Sequence, residues 1–182
     1  MFFPSLDDVK AIIWYTMDMA KNSAGILMYR YQNNILQVFL VHPGGPFWAN
    51  KDFGAWSIPK GLIDQNEDAF EAAKREFEEE TGFTIRDHFI QLSPITLKGG
   101  KVVQAWAVEG NCDPSALKSN TFVIEWPAGS GRQQEFPEVD RAAWFDIEGA
   151  QKKINQRQIP FIEELQLLLS KESEGRNSQE QL

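Results

Sequence analysis

The sequence predicts one α/β domain. Three observations carry that expectation: two strand-like runs joined by an asparagine turn, an acidic amphipathic helix after a Gly/Pro-rich loop, and a leucine-bearing helix near the end. At 182 residues, with 42% apolar and 12% aromatic content, the chain can fill one core and is too short for two.

In chain order, "SAGILMYR" (23–30) and "ILQVFLVH" (35–42) read as strands, and Asn33-Asn34 between them suits a tight turn with positive φ. These two predict a hairpin. The loop "PGGPFWANKDFGA" and the short "WSIPKG" lead into the acidic segment. Further strands are expected near "HFIQLSPITL", "KVVQAWAVE" and "TFVIEWP". "PFIEELQLLLS" (160–170) has helical spacing, with Leu165, Leu168 and Leu169 as core contacts. We divide the chain into an N-terminal extension (1–21), a domain (22–170) and a disordered polar tail (171–182).

Composition excludes several function classes. No run of about 18 or more uncharged apolar residues is present to span a bilayer. The opening residues lack a secretory pattern, because Asp7, Asp8 and Lys10 interrupt it, so the expected location is cytoplasmic. The lone Cys112 cannot form an internal disulfide and, with two histidines in the chain, makes a poor zinc site. The formal net charge of -8 argues against a large nucleic-acid interface, which needs clustered Lys and Arg. A small phosphorylated partner remains compatible if divalent cations supply the positive charge.

The segment "GLIDQNEDAFEAAKREFEEETGF" (61–83) carries the chemistry. Asn66 suits an N-cap, Glu67 and Asp68 suit the positive end of a helix dipole, and Gly82 suits the left-handed position after the last turn. The predicted helix therefore covers 67–80. Phe70, Ala73 and Phe77 share one stripe, with Glu76, Glu79 and Glu80 beside it and the small Ala69 and Ala72 on that same side. A solvated acidic face is the plain alternative. Spacing at i, i+3 and i+4 favours convergence instead, which is unfavourable unless a hard cation such as Mg²⁺ or Mn²⁺ takes the oxygens. The alanines would leave room for a phosphate chain.

Gly61, five residues, Glu67, seven residues, then Arg75-Glu76-Phe77-x-Glu79-Glu80-x-Gly82-Phe83 matches the Nudix hydrolase signature without a departure. Seven fixed identities at fixed spacing arise by chance with probability on the order of 10⁻⁹ at any one start point. The resemblance extends over roughly residues 22–170. It implies an α/β/α sandwich with a mixed β-sheet, and hydrolysis of a nucleoside diphosphate linked to a moiety X by attack of water on phosphorus. A small-molecule nucleotide would be the partner, with no membrane and the chain a monomer or homodimer.

By the same likeness, Glu76, Glu79, Glu80 and the Gly61 carbonyl would hold Mg²⁺ or Mn²⁺, and Glu67 and Arg75 would orient those ligands. A simple helical pair of Arg75 with Glu71 or Glu79 is the alternative. A further carboxylate is needed to deprotonate water. "EFPEVDRAAWF" offers Glu138, with Glu135 as second choice and a signature glutamate such as Glu79 as another. Lys60 either contacts a phosphate or offsets the acidic segment. Trp48 and Phe47 are candidates to stack a nucleobase, whereas Trp56 is expected in the core and His42 at a strand end.

The proline and tyrosine marks of ADP-ribose and dinucleoside polyphosphate hydrolases are absent, since positions 99–101 read Gly-Gly-Lys. The flanking stretches resemble bacterial Nudix proteins described as predicted NTP pyrophosphohydrolases, so X stays open. A nucleotide sensor without turnover is the alternative. An isoprenoid isomerase on this fold would need a catalytic cysteine and a variant signature, and neither is present.

Overall fold

The computed structural model describes residues 22–86 and 88–179. The expected extension over 1–21 lies outside them. Strand β1 (Asn22–Gln32) and β2 (Ile35–Pro43) form the predicted antiparallel hairpin, with Gln32 opposite Ile35. Asn33 and Asn34 turn the chain with φ of 51° and 63°, which short polar side chains tolerate.

Both strands are buried on both faces. Ile26, Met28, Phe39 and Val41 point to one side of the sheet, Leu27, Tyr29, Val38 and Leu40 to the other. Such runs need cover above and below. Helix α1 (Ala69–Thr81) covers the first face, with Ala72, Ala73 and Phe77 against it. Burying the Phe77 ring there contributes about 2–3 kcal/mol. Helices α2 (Ile147–Lys153) and α3 (Ile159–Gln179) cover the other face through Ala150, Phe161, Ile162 and Leu165. The layers are helix, sheet, helix.

The sheet is mixed. Strands β3 (Lys60–Leu62), β4 (Phe89–Thr96), β5 (Val102–Glu109) and β8 (Val139–Asp146) join the hairpin in the order β4-β5-β1-β2-β8, with β3 on the free part of β1. β1 and β5 run parallel and the other pairs antiparallel. Strands β6 (Thr121–Glu125) and β7 (Gln133–Pro137) form a separate two-stranded sheet.

Several expectations are corrected. Helix α1 starts at Ala69, not Glu67, and its cap is Asp68, whose carboxylate accepts from the Phe70 and Glu71 amides. Asn66 instead takes a left-handed turn with φ of 66°. Ala72 is wholly buried, so it is floor for the core and leaves no room for phosphate. The last helix continues to Gln179 where a disordered tail was expected from 171. Lys, Glu, Arg and Gln after Ser170 are good helix formers that extend a helix nucleated in the core. The strands β7 and β8 and helix α2 were not expected as elements. Among the described residues no helix is long and apolar enough to cross a membrane.

Candidate functional site

Four carboxylates, those of Glu76, Glu79, Glu80 and Glu138, lie within electrostatic reach of one another where the C-terminal half of α1 faces β3 and the start of β8. Glu76, Glu79 and Glu80 are placed by helical spacing, because the Phe77 between them must point into the core. Gly82 ends the helix in the left-handed region with φ of 75°, and its amide donates to the Glu78 carbonyl at 2.7 Å. The glutamates thus stay on a well-formed last turn.

The backbone brings the fourth. The Asn120 amide donates to the Glu79 carbonyl (2.9 Å), the Glu138 amide to the Asn120 carbonyl (2.8 Å), and the Gly44 amide to the Glu138 carbonyl (2.8 Å). Asn120 is therefore the bridge that seats Glu138 beside the helix. The alternative Glu135 is engaged across the small sheet by the Thr121 hydroxyl.

Arg75 organises the cluster. Its Nε and Nη2 donate to the two oxygens of Glu67 at 2.8 and 2.9 Å, and Nη2 also to the Leu62 carbonyl at 2.9 Å. Its Nη1 donates to Glu76 at 2.9 Å and Glu79 at 3.1 Å. Opposite, the Lys60 amide donates to Glu80 at 3.0 Å. Gly61 lies so close to the Glu76 carboxylate that a Cβ there would collide with it.

The electrostatics are those of a crowded anion cluster. Burial pushes Glu80 up to about 7, against the favourable pull of Lys60, and Glu76 and Glu138 add to the rise. Burial also raises Glu76, and burial followed by the Glu79 charge raises Glu138. The Arg75 bond holds Glu67 down at about 2, and Arg75 itself is pushed above its usual value by that partner. Among the described residues no three His, Cys, Asp or Glu side chains are already drawn together as a metal cage. Arg75 and the Lys60 amide hold the carboxylates instead. The donor set, all carboxylate oxygen beside a glycine that leaves one of them space, nonetheless fits a hard divalent ion.

Other expected residues divide. Lys60 borders the cluster, while Trp48 is 37% and Phe47 61% exposed on the loop before it. Trp56 is buried as expected, and His42 is buried between Asp140 and the Lys51 carbonyl. Burial lifts the Cys112 thiol to about 12, so it is no nucleophile. Lys101 was missed. It lies in no motif, and only its position one residue before β5 brings it near Lys60, Glu76 and Glu80.

The NUDIX domain family matches residues 19–165, which is most of the chain. The chain belongs to the Nudix family. No curated protein matches its sequence significantly. Its fold is similar to that of a C. elegans Ap4A hydrolase in a binary complex, with a TM-score of 0.58 and 21% identity over 81% of this chain and 98% of that one. A mutT/nudix family protein from Listeria innocua gives 0.56 and 20% over 84% and 95%. The NUDIX domain of Shewanella oneidensis NrtR, complexed with ADP ribose, gives 0.56 and 17% over 81% and 87%. These likenesses are evidence for the shared Nudix fold, a mixed β-sheet flanked by helices.

Proposed function

We propose that this Nudix protein is a hydrolase that cleaves the pyrophosphate linkage of a nucleoside diphosphate linked to X, using Mg²⁺ or Mn²⁺. The observation that carries this reading is the convergence of Glu76, Glu79 and Glu80 with Glu138, which three backbone hydrogen bonds seat next to the helix. A generic acidic helix face needs no fourth carboxylate from the bend between β7 and β8, 58 positions away in sequence, counted from Glu80 to Glu138 (138 − 80).

In this mechanism Glu76, Glu79, Glu80 and the Gly61 carbonyl would hold the ion, and Arg75 with Glu67 would fix their rotamers. A bound divalent ion would polarise the phosphoryl oxygens and offset the charge of the linkage. Glu138 accepts a proton from water as the water oxygen bonds to phosphorus. The bridging P–O bond breaks, and its electron pair leaves with the departing phosphate. Burial keeps the Glu138 carboxylate more basic than usual, which suits proton transfer. Lys60 can contact a phosphate oxygen, and Trp48 can stack a base.

A panel of NTPs, dinucleoside polyphosphates, ADP-ribose and nucleotide sugars with Mg²⁺ or Mn²⁺ tests this. Hydrolysis in ¹⁸O-water should place the label on one phosphate product, at a kcat/KM of about 10⁴ M⁻¹s⁻¹ or above for the preferred class. Tight nucleotide binding without turnover would replace the hydrolase by a sensor.

A further inference from the structure

Strand β8 holds one residue more than its partner β2 where it leaves Glu138. His42 lies opposite Arg141 and Pro43 opposite Val139, so Asp140 is the extra residue of a β-bulge. The bulge decides where Glu138 stands. In an unbulged ladder Pro43 would face Asp140 and Gly44 would face Val139, and the Gly44 amide would miss the Glu138 carbonyl that it meets at 2.8 Å. Whatever pins Asp140 therefore also seats Glu138.

His42 pins it. The ring is wholly buried, with Nδ1 2.8 Å from Asp140 Oδ1 and Nε2 2.8 Å from the Lys51 carbonyl. A carboxylate and a carbonyl both accept. A neutral imidazole has one N–H to give and the imidazolium has two, so only the doubly protonated ring donates to both partners. The charged groups around it are Asp140 and Arg141 of β8, Asp52 of the loop after β2 and Lys153 of α2. Asp52 is taken up by Lys153 and by the Trp56 Nε1, which donates at 2.9 Å, while the Trp56 ring meets His42 edge to face. Arg141 stands 3.9 Å from the Asp140 oxygen, farther than the imidazole, and its Nη2 donates to the Lys51 carbonyl at 3.3 Å.

The second bond reaches the aromatic loop. The Lys51 amide donates to the Trp48 carbonyl at 2.8 Å, and the Lys51 ammonium lies over the Trp48 ring at 4.5 Å. The turn that carries Trp48 is thus tied through the Lys51 carbonyl to the same ring that holds the bulge.

We propose that His42 is a positioning residue: as an imidazolium it ties the Asp140 bulge through Nδ1 and the Lys51 carbonyl through Nε2, and so fixes Glu138 and the Trp48 loop relative to one another. The positioning of a reaction rests on the hydrolase reading; the two hydrogen bonds do not. The two ends of the ring should therefore read out differently, the Asp140 end in kcat through Glu138 and the Lys51 end in KM through the loop.

The first test is the long-range proton–nitrogen spectrum of the full chain labelled with ¹⁵N-histidine at pH 7, with His88→Gln assigning the two rings. Both nitrogens of His42 should carry protons, and a single protonated nitrogen overturns the proposal. Asp140→Asn can donate an amide N–H to a neutral ring, so there His42 should lose the Nδ1 proton, keep the Nε2 proton, and retain kcat within about threefold. Asp140→Leu cannot, and kcat should fall at least about tenfold while KM changes less than about twofold. His42→Phe keeps the ring shape and loses both bonds, so it should lower kcat as far and also raise KM at least about threefold. Thermal melting checks that the variants fold, and the native and Asp140→Asn spectra decide the matter if Asp140→Leu does not. Hydrogen exchange at the Gly44 amide separates this proposal from the hydrolase reading, since it should quicken at least about tenfold in Asp140→Leu whether or not anything is hydrolysed. Faster exchange in a chain without turnover keeps the tie and removes the hydrolase. Unchanged exchange, or unchanged kcat, in a folded and active Asp140→Leu overturns the positioning role.

Discussion

Arg75 and Glu67 meet fork on fork, with Nε to Oε1 at 2.8 Å and Nη2 to Oε2 at 2.9 Å. The remaining donors of the same guanidinium go to Leu62, Glu76 and Glu79, so the five bonds use every N–H it has. A lysine offers a single point charge and cannot reproduce this fan. Arg75→Lys should therefore lower kcat/KM about 10- to 100-fold, the usual cost of losing a group that orients metal ligands, and nearly as far as Arg75→Gln. Steady-state kinetics with thermal melting of all three proteins checks it. If Lys retains full activity, charge alone is at work.

The same pair sets an acid limit. Glu67 is held at about 2, below its ordinary value of 4.5. Its stabilisation is present above the ordinary value and is lost as pH falls toward the folded one. Glu67→Gln should flatten the fall of the melting temperature between these two pH values. An unchanged acid profile would assign the acid sensitivity elsewhere.

Glu80 has the opposite sign. Its folded value of about 7 exceeds the ordinary 4.5, so without metal the native state binds more protons and stability declines as pH rises between the two. Mg²⁺ should offset that decline, so the melting temperature should rise more on adding Mg²⁺ at pH 8 than at pH 5. Glu80→Gln should lose most of the Mg²⁺ response and lower turnover by orders of magnitude with the fold intact, as should Glu79→Gln. Equal Mg²⁺ shifts at both pH values would remove Glu80 from the proposed metal site.

How much of this is legible in the sequence follows from the range of each interaction. The hairpin and α1 are local: Asn33-Asn34, the periodicity around Phe77 and the left-handed Gly82 act within a few residues, and their signals stand in the sequence. The sequence places the helix start too early because Asn66 and Asp68 are both good caps; in the structure Asn66 takes a left-handed turn and the Asp68 carboxylate accepts the first free amides. Glu138 was selectable by its likeness to the family, but the Asn120 bridge that seats it is a backbone contact no side chain encodes. Lys101 was invisible for the same reason. Its place depends on the parallel pairing of β1 with β5, which skips across the intervening β2, β3, α1 and β4.

Gly61 tests how closely the site is packed. Gly61→Ala would push a methyl group into the Glu76 carboxylate, and that side chain is tied to Arg75 and cannot retreat freely. Overpacking of this kind costs about 1–3 kcal/mol. Activity should fall by at least about tenfold with a lower melting temperature, whereas an active, fully stable variant would mean that Glu76 is free to move.

Glu138→Gln separates proton transfer from metal binding. The amide keeps the shape, and the backbone bonds to Asn120 and Gly44 are untouched, so the loop should stay seated. General-base loss costs about 10²–10⁴-fold in kcat. Mn²⁺ binding, read by paramagnetic relaxation, should change little, and the acid limb of the pH–kcat profile should vanish with the carboxylate. Removing Glu138 also relieves repulsion on Glu76 and Glu80, so the metal-free variant should melt no lower than the native chain. Full turnover in Glu138→Gln would transfer the base to a glutamate of α1, with Glu79 the next to substitute because it faces Glu138 across the Asn120 bridge.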